Sequence, residues 1–262
     1  MNSHTGVQAP ATWGKILGAM NMPPRIILMA ALIAGTALAP AVRPAEPNPA
    51  QSKPATILLV GASGMIGSRI LTEAAGRGHL VIAAARHPER IATGTNIRVE
   101  GLDATDAQAF ILLAREADVI VTATSPRGGG DPIKEAQALG DAAIAAARAT
   151  GKRLIVVGGA GSLNLPDGRA FAETLPPAYR AEALAMRGVL NSLKAGNINW
   201  TFFSPAAQIA PGTLTGKYRI GTTVLLSDQN GDSRISAEDY AQALVNEIEK
   251  PAHLRAQMTI AY

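Results

Sequence analysis

The stretch Thr56–Arg69, TILLVGASGMIGSR, decides the fold class of this chain. Its first five residues are mostly branched and apolar, which is typical of a strand buried on both faces of a parallel sheet. Three glycines follow with the spacing G-x-x-G-x-x-G, and a helix is predicted over Met65–Gly76. A strand, a glycine-rich turn and a helix in this order indicate the first unit of an α/β fold.

The three glycines of this turn suit the binding of a pyrophosphate. The first permits a tight turn, the second lets a ligand approach the backbone, and the third lets the helix pack close to the strand. The N-terminus of the helix adds unpaired N–H groups and the positive end of a dipole. The predicted contacts to a dinucleotide are Gly61, Ser63, Gly64, Met65, Ile66 and Gly67. The alternative is the same tight turn without a ligand.

The rest of the chain alternates short apolar strands with helices. Further strands are predicted at His79–Ala84, Ile97–Glu100, Asp118–Thr122, Arg153–Val157 and Trp200–Phe203, and further helices at Thr105–Arg115, Pro132–Thr150 and Ala178–Ala195. This alternation predicts an α/β fold with a doubly wound parallel sheet, the Rossmann type, with right-handed crossovers. We expect a NAD(P)-binding domain over residues 55–262, to which residues 205–262 contribute a small C-terminal lobe on the substrate side.

The first 54 residues differ in composition from the rest. Arg25 precedes a short apolar segment, Ile26–Ala39, and Ala39 with Ala41 completes an A-x-A cleavage pattern. Residues 1–41 are therefore predicted to be a secretory leader, and the proline-rich residues 42–54 a flexible linker. The apolar segment is short for a bilayer, so no stable membrane span is expected after the leader is removed. The mature protein would be periplasmic or secreted. The alternatives are an uncleaved anchor or a cytoplasmic protein with a misassigned start.

Composition and charge exclude several classes of site. The chain has no cysteine, which rules out disulfides, zinc–thiolate centres and thiol catalysis. Its charge of +4 is partly due to Lys15 and Arg25, the only charged residues before Val42. Aromatic residues make up only 4%, and no basic cluster is interleaved with them. No nucleic-acid partner is therefore expected, and the predicted partner is a small molecule.

Two candidates for cofactor selectivity follow the second and third strands. Arg86 ends the segment AAAR, at the position where this fold faces the adenosine ribose. An acidic residue there would favour NAD, whereas an arginine favours the 2′-phosphate of NADP. We therefore expect NADP(H) as the preferred cofactor, with NAD(H) as the second candidate and Arg90 as an added contact. The alternative for Arg86 is a solvated surface arginine. Asp103 either accepts a hydrogen bond from the adenine amino group or caps the next helix.

Three further candidates come directly after predicted strands. Thr124 follows the fourth strand, Gly158 the fifth and Pro205 the sixth. Because ligands bind outside the carboxyl ends of the strands in this fold, all three are predicted to contact the cofactor.

Four motifs carry a resemblance to a known family. They are GASGMIGS, the strand-five exit VVGGAGS, WTFFSPA and the tail SRISAEDYAQALVNEIEKP. From about Thr56 to Tyr262 the chain resembles the atypical short-chain dehydrogenases/reductases. The closest branch is the NmrA-like NAD(P)H-binding proteins, described as NADH-flavin reductases or as similar to biliverdin reductase B. The resemblance implies a NAD(P)H-dependent reductase with a flavin-like acceptor.

The usual catalytic pair of short-chain dehydrogenases is not found. In the family pattern a serine follows the fifth strand, and a tyrosine and a lysine in Tyr-x-x-x-Lys donate the proton and hold the nicotinamide ribose. Ser162 matches the serine, Arg187 stands near the lysine position, and Ala183 stands where the tyrosine should be, with Tyr179 one turn away. Ser162 and Arg187 are the predicted catalytic residues, with a helix cap and a structural cation as their alternatives.

The resemblance implies hydride transfer to a flat ring that takes its proton from solvent, so that alignment of the two rings is the main catalytic term. Two other functions remain open: a non-catalytic protein that senses the NAD(P) redox state, and an epimerase-like isomerase.

The segment Asp228–Asp239, DQNGDSRISAED, resembles an EF-hand calcium loop in the spacing of its acidic residues. However, Ser233 occupies the position that requires glycine, and the preceding Thr222–Leu226 predicts a strand instead of a helix. We therefore predict a hairpin turn followed by a helix that Ser236 caps, with no metal site.

Overall fold

The computed structural model describes residues 53–126 and 128–262. The predicted leader and the linker up to residue 52 lie outside the described residues. The strands are β1 (Thr56–Val60), β2 (Leu80–Ala85), β3 (Ile97–Gly101), β4 (Val119–Thr122), β5 (Arg153–Val157), β6 (Trp200–Ser204), β7 (Gln208–Ala210), β8 (Arg219–Gly221), β9 (Arg234–Ser236) and β10 (Ala256–Ala261). The helices are α1 (Met65–Gly76), α2 (Ala107–Arg115), α3 (Pro132–Thr150), α4 (Phe171–Thr174), α5 (Pro177–Ala195) and α6 (Ala237–Glu249).

The main sheet confirms the predicted doubly wound α/β fold. Its eight strands have the order β3-β2-β1-β4-β5-β6-β10-β8. All neighbours are parallel except β8, which runs antiparallel to β10 at one edge. The strand order reverses between β1 and β4, and a crevice forms at such a point outside the carboxyl ends of the strands.

Helices cover both faces of the sheet, which explains why β1 is apolar at successive positions. Ile57 and Leu59 pack with residues of α1 and α6 on one face, whereas Leu58 and Val60 pack with residues of α2, α3 and α5 on the other. Ile57, Leu58 and Leu59 are fully buried. Burial on both faces removes the alternation that a half-exposed strand would show.

Local signals set the ends of α3. The carboxylate of Asp131 accepts hydrogen bonds from the N–H groups of Ile133 and Lys134, with Pro132 in the first turn. The helix ends at Gly151, whose φ of 69° lies in the left-handed region that glycine adopts at low cost. The observed bounds are those predicted from the sequence.

Residues 205–262 contribute two strands to the eight-stranded sheet and form a second, two-stranded sheet. β10 and β8 extend the large sheet, and α6 packs against α1, whereas β7 and β9 form a separate parallel pair. The predicted strand at Thr222–Leu226 was wrong. The strand lies earlier, at Arg219–Gly221, where it pairs with β10, and Val224 only forms an isolated bridge to Asn164.

A buried ion cluster joins the end of α6 to the start of β5. Glu247 is only 4% exposed, and its carboxylate contacts Arg153 Nη2 at 2.5 Å and His253 Nδ1 at 2.8 Å. Burial raises the pKa of Glu247, but the hydrogen bonds from His253 and Arg153 outweigh it and hold the pKa below its usual range. The cluster therefore stabilises the fold in its charged form.

Within the described part of the chain, none of the helices combines the length and the apolar composition needed to cross a membrane.

Candidate functional site

The first and third glycines of the turn are required by the fold itself. Gly61 has a φ of +89°, and a Cβ there would lie 2.5 Å from the carbonyl oxygen of Ala123. A Cβ on Gly67 would lie 2.1 Å from the carbonyl oxygen of Gly61. Both distances are far below contact, so the tight turn and the close approach of α1 to β1 both depend on glycine.

The second glycine has a different environment. A Cβ on Gly64 would lie 3.3 Å from the carbonyl oxygen of Gly61, which is tight but short of a collision. Gly64 is the N-cap of α1 and offers no side-chain acceptor to the helix. The first-turn N–H groups, those of Met65, Ile66 and Gly67, therefore lack a capping side chain and suit an anion such as a pyrophosphate.

A cleft of about 280 Å³ opens beside this turn, where β1, β2 and β4 end. Six of the predicted cofactor residues line it: Gly61, Ser63, Gly64, Arg86, Asp103 and Thr124. The lining residues that the sequence did not indicate include His87, Leu102, Ala104, Thr105, Ser125, Glu135 and Leu139. The cleft combines phosphate-binding backbone, cations and apolar side chains, a combination that fits the adenosine half of a dinucleotide.

Arg86 is exposed at the end of β2, on the wall of the cleft. In the described residues its guanidinium has no hydrogen-bond partner, so its donors are available to a ligand. Arg90, also on the wall, lies 3.9 Å from the carboxylate of Glu89. The carboxylate of Glu89 thus has Arg90 on one side and, at 3.3 Å, Nδ1 of His87 on the other.

Asp103 lies on the same wall with one carboxylate oxygen already used. Its Oδ1 accepts hydrogen bonds from the backbone N–H and the hydroxyl of Thr105, at 3.0 and 2.8 Å. These bonds hold the pKa of Asp103 below its usual range. The alternative that Asp103 caps the next helix was wrong, because Asp106 is the N-cap of α2. The contact to adenine stays a prediction.

Beyond the cleft, α5 lies very close to the end of β5. A Cβ on Gly158 would lie 2.1 Å from the ring of Phe202, so this glycine packs against the neighbouring strand β6. A Cβ on Gly161 would lie 2.3 Å from the Cβ of Ala183, which belongs to α5. The helix therefore approaches the turn at the position where the family pattern has its tyrosine. Ala183 is the residue that permits this approach.

Ser162 points its hydroxyl into the protein. The side chain is 4% exposed, and its Oγ donates to the carbonyl oxygen of Gly159 at 2.7 Å. It also accepts from Gln257 Nε2 at 3.0 Å and lies 2.8 Å from the hydroxyl of Ser204. One donor and two acceptor positions are all that a serine hydroxyl has, so this placement favours a structural role over a catalytic one. The alternative of a helix cap was wrong, because the partners of the hydroxyl are Gly159, Ser204 and Gln257. Pro205, after β6, is also buried.

Arg187 has an incompletely satisfied guanidinium. The side chain is half-buried, and its Nη2 donates to Asn164 Oδ1 at 3.0 Å. Its Nη1 is buried without a partner among the described residues. A buried unpaired donor requires an explanation, and an oxygen of a bound ligand would provide one. The uncapped first turn of α1 and the glycine turn beside the cleft suit the pyrophosphate of a nicotinamide dinucleotide.

Two residues of this region were not predicted from the sequence. Asn164 carries no motif, because its contact with Arg187 joins residues 23 apart in the chain. Glu135, in α3, accepts from the N–H of Gly128 with both carboxylate oxygens at 3.0 and 2.8 Å and lines the cleft. Only its position in a first helical turn after a glycine run could have marked it.

The calcium-like segment has local structural roles. Asp228 Oδ1 accepts from the N–H groups of Asn230 and Asp232, which closes a turn. Ser236 caps α6, as predicted, and the buried Asp239 accepts from Thr215 instead of facing the turn. The described residues contain no group of three or more side chains that could hold a metal ion.

Comparisons with known proteins agree with the motifs. A family model described as NAD(P)H-binding matches residues 61–251. A solved structure from Burkholderia pseudomallei, provisionally described as an exported protein, is 41% identical, with a TM-score of 0.72, covering 79% of this chain and 100% of that one. A structure from Bacteroides thetaiotaomicron, provisionally described as an epimerase, is 36% identical, with a TM-score of 0.73, covering 80% and 98%. A structure from Streptococcus pneumoniae, provisionally described as an NADH-flavin reductase, is 27% identical, with a TM-score of 0.68, covering 79% and 99%.

Proposed function

The chain belongs to the NAD(P)H-binding family, and we propose that it is a reductase that uses NADPH to reduce a flat small molecule of the flavin type. The coarser statement, a NAD(P)-binding oxidoreductase of the atypical short-chain dehydrogenase group, follows from the family and from its structural relatives. The acceptor and the preference for NADPH are the proposal.

One observation carries the choice of acceptor. At the turn after β5, α5 presents Ala183 in contact with Gly161, where a carbonyl-reducing enzyme would present a tyrosine. The hydroxyl of Ser162 is turned away and saturated, as described above. Reduction of a carbonyl requires a proton donor at the substrate oxygen, whereas an electron-accepting ring can take its proton from solvent. The arrangement therefore supports an acceptor of the second kind.

The cleft supports NADPH as the donor. When bound, the nicotinamide cofactor supplies the hydride. The first turn of α1 would hold the pyrophosphate through N–H groups, and Gly64 leaves room for it. Arg86 would bind the 2′-phosphate at the end of β2, with Arg90 beside it on the same wall. The charge of a phosphate favours two guanidinium groups, whereas a 2′-hydroxyl would favour a carboxylate there.

The experiment measures oxidation of NADPH and of NADH with three acceptors: FMN, riboflavin and a simple ketone. We expect oxidation of NADPH with the flavins, a lower kcat/KM with NADH, and no turnover with the ketone. Tight binding of NADPH without oxidation by any acceptor would instead indicate a redox-sensing protein. Turnover of the ketone would restore conventional carbonyl reduction.

We further propose that residues 1–41 are removed on export and that the mature protein is periplasmic or secreted. The leader pattern and the description of the Burkholderia pseudomallei relative support this proposal. Mass spectrometry of the native protein tests it through the mass of the N-terminal peptide. A chain that retains residues before Val42 would contradict it.

A further inference from the structure

Among the residues that the structure describes, the side chain of Arg187 combines a charge without a counterion and a donor without a partner. Its Nη2 donates to the amide oxygen of Asn164, and its Nη1 is buried with no partner in the described part of the chain. None of the ion pairs among the described residues includes Arg187. An unsatisfied buried donor on a charged group costs stability, so this arrangement is unfavourable in the absence of a ligand.

The backbone holds Asn164 in place for this contact. Its N–H donates to the carbonyl oxygen of Thr223 at 2.9 Å, and its carbonyl oxygen accepts from the N–H of Leu225 at 2.8 Å. Asn164 also forms an isolated bridge with Ala170. Two separate segments of chain thus fix the residue, and its amide is directed to Arg187.

The chemical nature of Asn164 decides what it does to the guanidinium. An amide oxygen accepts one N–H and orients the group, but it carries no charge. An aspartate of the same shape would form an ion pair with Arg187 and neutralise it. Asparagine at this place therefore orients the cation and leaves its positive charge available.

The Arg187–Asn164 pair lies where the positive charge of Arg187 can act on a substrate. A Cβ on Gly159 would lie 3.7 Å from the Cβ of Met186, the neighbour of Arg187, and a Cβ on Gly161 would lie 2.3 Å from that of Ala183, so this part of α5 lies at the carboxyl end of β5. In the proposed reduction the acceptor gains a hydrogen together with both electrons of the C–H bond that breaks in NADPH. Its second hydrogen comes as a proton from solvent. Until that proton arrives, the ring carries the added negative charge, and a fixed cation stabilises it.

We infer that Asn164 is a positioning residue that holds Arg187 uncompensated, so that Arg187 receives the negative charge which forms on the acceptor. The inference rests on the proposed reductase function and goes beyond it, because it assigns how the negative charge is stabilised and which residue controls it.

The experiment replaces Asn164 with aspartate, which keeps the shape and adds the counterion. We expect Asn164→Asp to lower kcat for NADPH oxidation with FMN by about tenfold or more, because the cation is neutralised. The Kd for NADPH should change by less than about twofold, because the effect is confined to turnover. The melting temperature should be at least that of the wild type, since the new ion pair satisfies the guanidinium. A structural role for Asn164 would instead lower the melting temperature.

The chain offers a matched control in a second arginine–asparagine contact. Arg255 Nη1 donates to Asn197 Oδ1 at 2.9 Å, and this pair is exposed. Asn197→Asp makes the same chemical change there and should leave kcat unaltered. A double variant completes the test: when Arg187→Gln is already present, adding Asn164→Asp should lower kcat by less than about twofold more, because the two residues act as one unit.

The outcomes separate the two proposals. A wild-type protein that oxidises NADPH, combined with an Asn164→Asp variant of unchanged kcat, would overturn the role of Asn164 alone. A loss of kcat that comes with a lower melting temperature, or a loss that adds fully to that of Arg187→Gln, would overturn it as well. A wild-type protein that binds NADPH but reduces no acceptor would overturn the reductase function, and this inference with it.

Discussion

Replacing Gly67 with alanine tests the closest contact between α1 and β1. The added Cβ would lie 2.1 Å from the carbonyl oxygen of Gly61, a backbone atom that no rotamer change can move. Since non-bonded heavy atoms rest about 3.5 Å apart, α1 would have to withdraw from β1 by about 1.4 Å. Overpacking against rigid backbone costs about 3 kcal/mol, and the better helix propensity of alanine offsets about 1 kcal/mol. We therefore expect Gly67→Ala to lower the free energy of unfolding by about 2 kcal/mol.

The matched control is Gly76→Ala at the other end of the same helix. A Cβ on Gly76 has no heavy atom within 4 Å, so this variant should gain up to about 1 kcal/mol from helix propensity alone. Urea unfolding measures both changes, and fluorescence titration measures the Kd for NADPH. The Kd should rise about tenfold or more in Gly67→Ala, because the first-turn N–H groups move with the helix. Equal stability of the two variants, with unchanged affinity, would refute the packing of α1 described above.

Three further predictions concern selectivity, the proton donor and pH. Arg86→Asp should shift the ratio of the Kd values for NADP and NAD by about tenfold or more toward NAD, because a carboxylate repels the 2′-phosphate; an unchanged ratio would show that Arg86 does not face the ribose. Tyr179→Phe should lower kcat with FMN by less than about tenfold, whereas loss of a true general acid costs about 10²–10⁴-fold, so a thousandfold loss would contradict the proposed proton source. Glu247→Gln should cost on the order of 3 kcal/mol at neutral pH by leaving the buried charge of Arg153 without its counterion. The pKa of Glu247 is lower in the folded protein than in the unfolded one. Its contribution to the free energy of unfolding is therefore present above the unfolded pKa and is lost as the pH falls through the folded pKa. The difference in stability between the wild type and Glu247→Gln should thus become smaller in acid. A gap in urea unfolding that stays constant from neutral to acid pH would contradict this.

Much of the fold could be predicted because its signals are local. The strand–turn–helix of Thr56–Gly76 depends on glycines that contact residues only a few positions away or one strand across. The bounds of α3 follow from Asp131 and Gly151, which act within one turn of the helix. Part of the wall of the cleft was equally predictable, because parallel strands bring their carboxyl ends to one edge, and Arg86, Asp103 and Thr124 each follow a strand.

The strand at the sheet edge depended on pairing that no local pattern contains. Thr222–Leu226 has the composition of a strand, yet Arg219–Gly221 pairs with β10, the last strand of the chain. Sequence propensity describes how well a segment suits a sheet, whereas the choice of segment depends on which partner edge lies within reach. The predicted strand therefore failed although its residues are suitable.

The sequence by itself determined that this chain has a dinucleotide-binding fold. It also indicated six of the residues that line the cleft, because each of these follows the end of a strand. Only the tertiary structure decided how the side chains near the carboxyl end of β5 and on α5 are oriented. Ser162 matched the position of the family's serine, but its hydroxyl is hydrogen-bonded to Ser204 and Gln257. Arg187 stands near the position of the family's lysine, and its hydrogen-bond partner Asn164 lies 23 residues earlier in the chain. A hydroxyl or a guanidinium is available for chemistry only when its neighbours leave it so, and those neighbours are brought together by folding.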